Sequence, residues 1–420
     1  MTTEQAKYLP IDLLSDLYIS RRLGELKGKA LVRVDINVPV KDGRINVSNL
    51  RLKECASNLT AYVKAGLIPI VISHQGRRGD DDYLSSMEQH AKALQSLVKG
   101  ANVIYSDSFA DSDTERAASG LKQGDILVLK NVRDNDDEKK KFKSPKESSE
   151  SEMVRFMSRL AGIYINDAPA TMHRSDTSLT GFVNAMPSYL GLQMEKELKM
   201  LEEIKSNIRS GKDTAIIFGG KKWEKFDYVY EVGKKKNVRI LCGGIPGQSV
   251  CYAKNSDSFN EENKKFLSET GTLETAQKLA DEFAERVIYP TDFVLEGGEH
   301  VSINELRSKK GQIADIGDNT IDRFFSEISG SEMIIYAGPV GRYEKGYNQT
   351  IRLITRFMGE KALNYTFGGN SADSMDDIGL DKAYDILGGK RITSGGSALA
   401  YIAGKDLPVL DAFRNKLSGK

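Results

Sequence analysis

Gly162-Ile163-Tyr164-Ile165-Asn166-Asp167-Ala168-Pro169-Ala170-Thr171-Met172-His173-Arg174 decides the reading of this chain. An apolar strand runs out into a loop that delivers a carboxylate, an imidazole and a guanidinium within a few residues. The same grammar recurs upstream. Leu31-Val32-Arg33-Val34 runs into Asp35-Ile36-Asn37, Val71-Ile72-Ser73 into His74-Gln75-Gly76-Arg77-Arg78-Gly79, and Leu127-Val128-Leu129 into Lys130-Asn131-Val132-Arg133. In open α/β sheets, ligands bind beyond the carboxyl ends of the strands. Several strand ends carrying Arg or His therefore predict one convergent cationic site, suited to a small phosphorylated acid. Arginine suits that role because its planar fork donates two hydrogen bonds to one phosphate or carboxylate.

The rest of the first half repeats the pattern. Strands are expected at 30–38, 67–73, 102–106, 125–130 and 162–166, with helices at 50–65, 86–99 and 150–161. In the second half, strands are expected at 213–218, 238–242, 286–289, 312–315, 333–337, 364–367 and 390–393. Strands apolar on both faces, each followed by an amphipathic helix, predict doubly wound parallel sheets covered on both sides. At 420 residues the chain exceeds one ordinary core, so two such α/β domains are expected. The join falls where Leu192, Met194, Leu198, Leu201 and Ile204 recur at helical spacing. The expected division is 1–190, a hinge helix at 191–208, a second domain at 209–404, and a tail at 405–420 returning to the first domain. The run Asp134-Asn135-Asp136-Asp137-Glu138-Lys139-Lys140-Lys141 reads as a solvated, mobile surface loop over 134–150.

Composition narrows the function. The net charge is +1, which argues against a general nucleic-acid surface while leaving room for a local cationic cleft. The three cysteines, Cys55, Cys242 and Cys251, are too few and too scattered for a disulfide framework and fit a reducing cytoplasm. No apolar run approaches the ~20 residues of a membrane span. Four histidines without a C-x-x-C pair give no zinc-site pattern; His90 and His300 read as surface residues without partners.

The second half supplies glycine-rich strand ends. Ile216-Ile217-Phe218-Gly219-Gly220-Lys221-Lys222 enters a Gly-Gly turn and a lysine, which lets backbone N–H groups approach a phosphate closely. It is no Walker A loop, so alone it is weak. Cys242-Gly243-Gly244-Ile245-Pro246-Gly247, Tyr336-Ala337-Gly338-Pro339-Val340-Gly341-Arg342-Tyr343-Glu344, Phe367-Gly368-Gly369-Asn370-Ser371-Ala372 and Thr393-Ser394-Gly395-Gly396-Ser397 add four more. Each, taken singly, is also an ordinary strand-to-helix turn.

Taken together, in order and spacing, these segments resemble the phosphoglycerate kinases. Arg33-Val34-Asp35-Ile36-Asn37-Val38-Pro39 is similar to R-V-D-F-N-V-P. Ser73-His74-Gln75-Gly76-Arg77 is similar to S-H-L-G-R, Asn131-Val132-Arg133 to N-L-R, and Asn166 through Arg174 to N-D-A-F-G-T-A-H-R. The resemblance implies a two-domain kinase that transfers a phosphoryl group reversibly between 1,3-bisphosphoglycerate and ADP, giving 3-phosphoglycerate and ATP. By the same resemblance, Asp35, Asn37, Arg51, His74, Arg77, Arg133, His173 and Arg174 line the 3-phosphoglycerate site, and Arg51 is catalytic. Lys222 matches the first lysine of G-G-A-K-V-S-D-K and would be catalytic too. Gly219, Gly220, Gly243, Gly244, Gly338, Pro339, Glu344, Gly368, Gly369, Asn370, Ser371, Gly395 and Gly396 would hold Mg2+-ADP or Mg2+-ATP, with Glu344 on the ribose and Asn370 near the metal.

Departures concentrate in the nucleotide half. Asn370 stands where the family has a metal-binding Asp, Ala337 where it has a phosphate-contacting Asn, and Phe226 where it has a second lysine, unless Lys225 substitutes. In the first half, Lys130 replaces a Glu, Arg78 a Pro and Asp176 a His, with Arg78 adding charge at the rim. These departures motivate a rival reading, a catalytically impaired phosphoglycerate-kinase-like binding or regulatory protein. A kinase for another carboxylic acid is a further alternative, opposed by the complete first-half motif set.

Overall fold

The computed structural model describes residues 14–220 and 225–418, apart from the side chains of Pro145, Asn370, Ala372 and Asp373. The chain forms two compact units. One runs to Met200 and resumes at Asp406; the other comprises Leu201–Lys405.

The first unit is built on a six-stranded parallel sheet. Its strands are β1 (Gly28–Val34), β4 (Leu67–Ile72), β5 (Asn102–Ser106), β6 (Asp125–Leu129), β7 (Ile163–Asp167) and β8 (Ser188–Leu190), in the order β5-β6-β4-β1-β7-β8. A small antiparallel hairpin, β2 (Val40–Lys41) with β3 (Arg44–Ile45), follows β1. The central strands are buried along their length, with Leu31, Val32, Ile70, Val71, Leu127, Val128 and Ile165 essentially inaccessible. Each would be costly to expose, because burying an apolar side chain contributes about 1.5–3 kcal/mol. Register aligns the strand ends: Arg33 pairs with Ile72, Val34 with Asp167, and Ile70 with Leu127. The loops after β1, β4, β6 and β7 therefore leave one sheet edge side by side. The helices Leu50–Lys64 and Glu88–Leu97 lie close to the spans read from periodicity.

The second unit repeats the plan with β9 (Thr214–Phe218), β10 (Val238–Cys242), β11 (Val287–Ile288), β15 (Met333–Ala337), β16 (Leu363–Phe367) and β17 (Lys390–Ile392), ordered β11-β10-β9-β15-β16-β17 and all parallel. The expected strand at 312–315 does exist as β14 (Ile313–Ile316), but it belongs elsewhere. With β12 (Asp292–Leu295) and β13 (His300–Ser302) it forms a separate antiparallel sheet ordered β13-β12-β14. That sheet closes on its own apolar cluster of Phe259, Phe293, Leu295, Val301, Leu306 and Ile313.

Two local expectations are corrected. Residues 134–150 are no featureless loop, since short helical turns span Val132–Asp134, Asp136–Lys139 and Pro145–Ser149, and Glu138 is buried. His90 is not at the surface. It is fully buried, its Nε2 lies 3.1 Å from Gln75 Oε1, and burial pushes its pKa down to about 4, so it is neutral. His300 is exposed, but its Nδ1 faces Asp318 Oδ2 at 3.7 Å.

Asp167, the carboxylate of the opening motif, also goes elsewhere than the strand-end loops. It is buried, and its Oδ1 accepts N–H bonds from Gln193 (2.6 Å) and Met194 (3.2 Å) at the start of the helix Leu192–Arg209. Oδ2 accepts from the Tyr62 hydroxyl (2.8 Å) and Asn58 (3.1 Å). A negative charge at a helix N-terminus satisfies donors that have no intrahelical partner. Gly191 is required beside it, because a Cβ there would overlap the Asp167 side chain.

Candidate active site

The cationic cluster is assembled by the four aligned loops of the first unit. Arg51 opens the helix Leu50–Lys64, whose N-cap Asn49 accepts the Arg51 N–H at 3.0 Å. The guanidinium Nη1 lies 3.2 Å from Asp35 Oδ2 and donates to Asn37 O at 2.7 Å. Asn37 Oδ1 accepts from the Gly76 N–H at 2.7 Å, and Arg133 Nη1 donates to the Gly76 carbonyl. Gly76 has φ +63° and no room for a Cβ against Tyr83. Buried amides fix the loops to each other: Gln75 Nε2 donates to Val38 O and Asp82 O at 3.0 Å, and Asn131 Nδ2 to Gln75 O at 2.8 Å.

His74 is buried within this cluster. Burial first, then the charges of Arg33, Arg133, Arg174 and Arg51, hold its pKa well below the ordinary value. Its Nδ1 faces Arg33 Nη2 at 3.1 Å. A guanidinium can only donate, so Nδ1 carries the lone pair and Nε2 the proton. Burial, then the proximity of Arg174, also pushes the Arg133 pKa down. Arg133 Nε and Arg174 Nη1 are buried without a protein partner among the described residues. Unpaired buried charged donors are costly, and an anion would satisfy them. Arg77, Arg78, Arg133, Asn135, Asp136 and Lys139 line a cleft of about 160 Å³. Arg77 is exposed on its rim, and His173 is exposed on the loop after β7.

The departures in this half are locally offset. Lys130 Nζ lies 3.3 Å from Asp134, Arg78 lies 3.8 Å from Asp134 and 3.7 Å from Asp136, and Lys139 lies 2.8 Å from Asp176. Arg78 therefore adds little net charge at the rim.

In the second unit the glycine-rich turns also leave one sheet edge, because Phe218 pairs with both Cys242 and Ala337. Strand order reverses between β9 and β15, the switch point where open sheets bind ligands. There the two backbones meet: Gly220 N–H donates to Pro339 O at 2.8 Å, and Gly244 N–H to Val340 O at 2.7 Å. A Cβ on Gly219 would overlap the Pro339 carbonyl. Gly368 (φ +94°) precedes the helix Gly369–Asp377, and a Cβ on it would meet Gly395 Cα at 3.1 Å. Gly395 in turn starts the helix Gly395–Ile402. Asn370 and Ser371 fall in the first turn of Gly369–Asp377, and Gly396 in that of Gly395–Ile402. Glu344 is exposed on a turn, Tyr343–Lys345. Lys222 lies outside the described residues. Phe226 is buried edge-to-face on Phe218, with ring centroids 5.1 Å apart, whereas Lys225 Nζ lies 4.0 Å from where a Gly395 Cβ would sit.

Two cradles, each at the carboxyl edge of a parallel sheet, one cationic and one glycine-rich, suit an acid and a nucleotide. The family profile described as Phosphoglycerate kinase matches residues 23–405. The chain belongs to the phosphoglycerate kinase family. It is 30% identical over 401 residues to a phosphoglycerate kinase of Thermoplasma acidophilum, covering 93% of this chain and 96% of that one. It is 32% identical over 397 residues to that of Pyrococcus furiosus, covering 91% and 94%. The crystal structure of phosphoglycerate kinase from Pyrococcus horikoshii superposes with a TM-score of 0.80 at 27% identity, over 93% of this chain and 96% of that one. The Coxiella burnetii phosphoglycerate kinase structure, 21% identical with a TM-score of 0.68 over 92% and 96%, shares the fold. As a phosphoglycerate kinase the chain is a phosphotransferase with a carboxyl group as acceptor, interconverting 1,3-bisphosphoglycerate plus ADP with 3-phosphoglycerate plus ATP.

The sequence reading missed Ser178 and Glu138 and gave Arg33 no role. Arg33 had a signal: a cation inside an apolar strand has to find buried partners. Glu138 had none, being hidden in a run of charges.

Proposed function

We propose that the cationic edge of the first unit binds 3-phosphoglycerate and the glycine-rich edge of the second binds the nucleotide. The observation that carries this is the pair of buried, unpartnered guanidinium nitrogens, Arg133 Nε and Arg174 Nη1. Arg77, Arg133, His173 and Arg174 hold the non-transferred phosphate. His74 completes that wall, and Asp35 and Asn37 orient the hydroxyl and carboxyl end. Arg51 places charge on the transferring phosphoryl group. An oxygen of the ADP terminal phosphate attacks the acyl phosphorus, the phosphorus–oxygen bond to the acyl group breaks, and 3-phosphoglycerate leaves as its carboxylate. No side-chain nucleophile is needed, and positioning with electrostatic stabilisation supplies the catalysis. The reaction requires both ligands to be brought together away from water. We place the enzyme in the cytoplasm, in keeping with three cysteines that are buried and free.

Gly219, Gly220, Lys222, Gly243, Gly244, Gly338 and Pro339 line the nucleotide, Glu344 takes the ribose, and Gly368 to Ser371 with Gly395 and Gly396 cradle its phosphates. The narrow Gly368–Gly395 approach and the helix start at Gly369 fit phosphate oxygens. Magnesium held chiefly by those phosphates and water would neutralise charge there, with Asn370 offering a neutral oxygen. Turnover with 3-phosphoglycerate and ATP across a magnesium titration tests the assignment, and no turnover at any magnesium concentration would favour the impaired-protein reading.

Two variants probe the departures. Asn370→Asp is expected to lower the magnesium concentration that gives half-maximal activity, because a carboxylate adds a full charge where an amide adds a dipole. A raised ADP KM with an unchanged magnesium requirement would instead show that the lost lysine at 226 already balances the lost carboxylate. Lys225→Ala is expected to raise the ADP KM about tenfold, the loss of one charge-assisted hydrogen bond. An unchanged ADP KM would leave the place of the second lysine empty.

A further inference from the structure

We propose that Glu138 is a positioning residue of the acid site: through Ser178 it fixes the Arg33 guanidinium, and Arg33 in turn holds the His74 ring as its Nε2–H tautomer. The proposal rests on the acid-site assignment above and concerns a residue separated from the ligand by three others, Ser178, Arg33 and His74.

The direction of each link follows from what each group can donate. Glu138 Oε2 accepts the Ser178 backbone N–H at 2.8 Å, and Oε1 accepts the Ser178 hydroxyl at 2.9 Å. With its only proton so committed, Ser178 Oγ can only accept from Arg33, whose Nε lies 2.9 Å away. Arg33 Nη1 donates to the Val34 carbonyl, and Nη2 reaches His74 Nδ1 at 3.1 Å. Arg33 and Glu138 are each 1% exposed and His74 is 2% exposed, so water does not compete. The chain of contacts thus joins Asp136–Lys139, the helix Thr177–Ala185, β1 and the loop after β4. It turns the His74 Nε2–H into a donor of fixed direction amid the guanidinium groups. A purely structural ion pair would not require a hydroxyl between carboxylate and guanidinium, nor end on a ring nitrogen.

The relay is pH-dependent. Burial, opposed by Arg33 and reinforced by Asp176, pushes Glu138 up to about 7. Other groups also face Glu138. Tyr164 on β7 stays neutral because burial raises its pKa, Lys139 is held by Asp176 at 2.8 Å, and Arg133 contributes only through its field. Above about pH 7, Glu138 is ionised and both oxygens accept. As pH falls through that value, one oxygen becomes a donor, and only one of the two Ser178 contacts keeps its acceptor.

The test uses the full-length enzyme with saturating Mg2+-ATP and varied 3-phosphoglycerate. Glu138→Gln and Ser178→Ala are each expected to raise the 3-phosphoglycerate KM about tenfold at pH 8, with kcat and the ATP KM within about twofold. The mutant-to-wild-type KM ratio for Glu138→Gln should fall toward one at pH 6. The substrate's own phosphate titration cancels in that ratio. In wild-type enzyme, nitrogen NMR of His74 should report protonated Nε2 and bare Nδ1 at pH 8, and a tautomer mixture at pH 6. An unchanged KM in both variants, a ratio independent of pH, or a His74 signature unchanged between pH 8 and pH 6 would each overturn the relay. Arg133→Ala separates the two layers of the argument. If it too leaves acid affinity unchanged, the acid-site assignment fails; if it weakens affinity while Glu138→Gln does not, only the relay fails. The NMR measurement needs no variant, so a misfolded mutant does not block the test.

Discussion

Arg51→Ala is expected to lower kcat by about 10²–10³-fold, the cost of removing one preorganised group aimed at developing charge, while 3-phosphoglycerate affinity stays nearly unchanged. The helix it opens should survive, because Asn49 Oδ1 accepts the Arg51 backbone N–H, which the substitution keeps. The guanidinium is held by Asp35 and Asn37 O within the protein itself, which limits its reorganisation during reaction. Its charge is used mainly in the transition state, and removing such an interaction lowers kcat and kcat/KM together. Steady-state kinetics with calorimetric binding of 3-phosphoglycerate checks both halves. Near-normal turnover would remove Arg51 from the chemistry, and a parallel loss of affinity would make it a binding residue.

Arg133→Ala and Arg174→Ala should behave in the opposite way. Their expected ligand is a phosphate present throughout the reaction, so their loss raises the 3-phosphoglycerate KM and spares kcat. Each removes charge-assisted hydrogen bonds that contribute about 1.5–3 kcal/mol, or roughly 10- to 150-fold in affinity. The two losses should not add, because Arg174 already disfavours the charge on Arg133 and removing either relieves the other. Unchanged acid affinity by calorimetry in both variants would move the phosphate to other loops.

The strand-ends grammar was legible because a parallel sheet buries both faces of its strands and leaves its polar residues to the loops. Five-residue runs such as Met333–Ala337 announce themselves by unbroken apolarity, and Gly28–Val34 stands out despite Lys29 and Arg33. What escaped notice was set by partners distant in sequence. Glu138 lies in a run that reads as solvated, and its burial is made tolerable by Arg33 and Ser178, both distant in sequence. His90 sits on an amphipathic helix, and its burial depends on Gln75. Asp167 stands beside genuine site residues, yet Tyr62 and the helix starting at Leu192 claim it. The antiparallel sheet around β12 was missed because Asp292–Leu295 and His300–Ser302 are too short to show a period.

The closing helix Pro408–Leu417 has a consequence for how the chain is made. It packs on the helix Thr177–Ala185, and Lys416 Nζ donates to Val183 O and Met186 O at 2.6 Å, neutralising the carbonyl end of that helix. These contacts join residues 230 or more positions apart. A ribosome adding about 5–20 residues per second delivers the second unit whole before this piece of the first. The earlier-made half therefore waits, with the seat for Val409, Leu410 and Phe413 uncovered, while the later-made half can already close. Synthesis order and completion order are reversed, because the segment from Asp406, made after the second unit, sets when the first unit becomes whole.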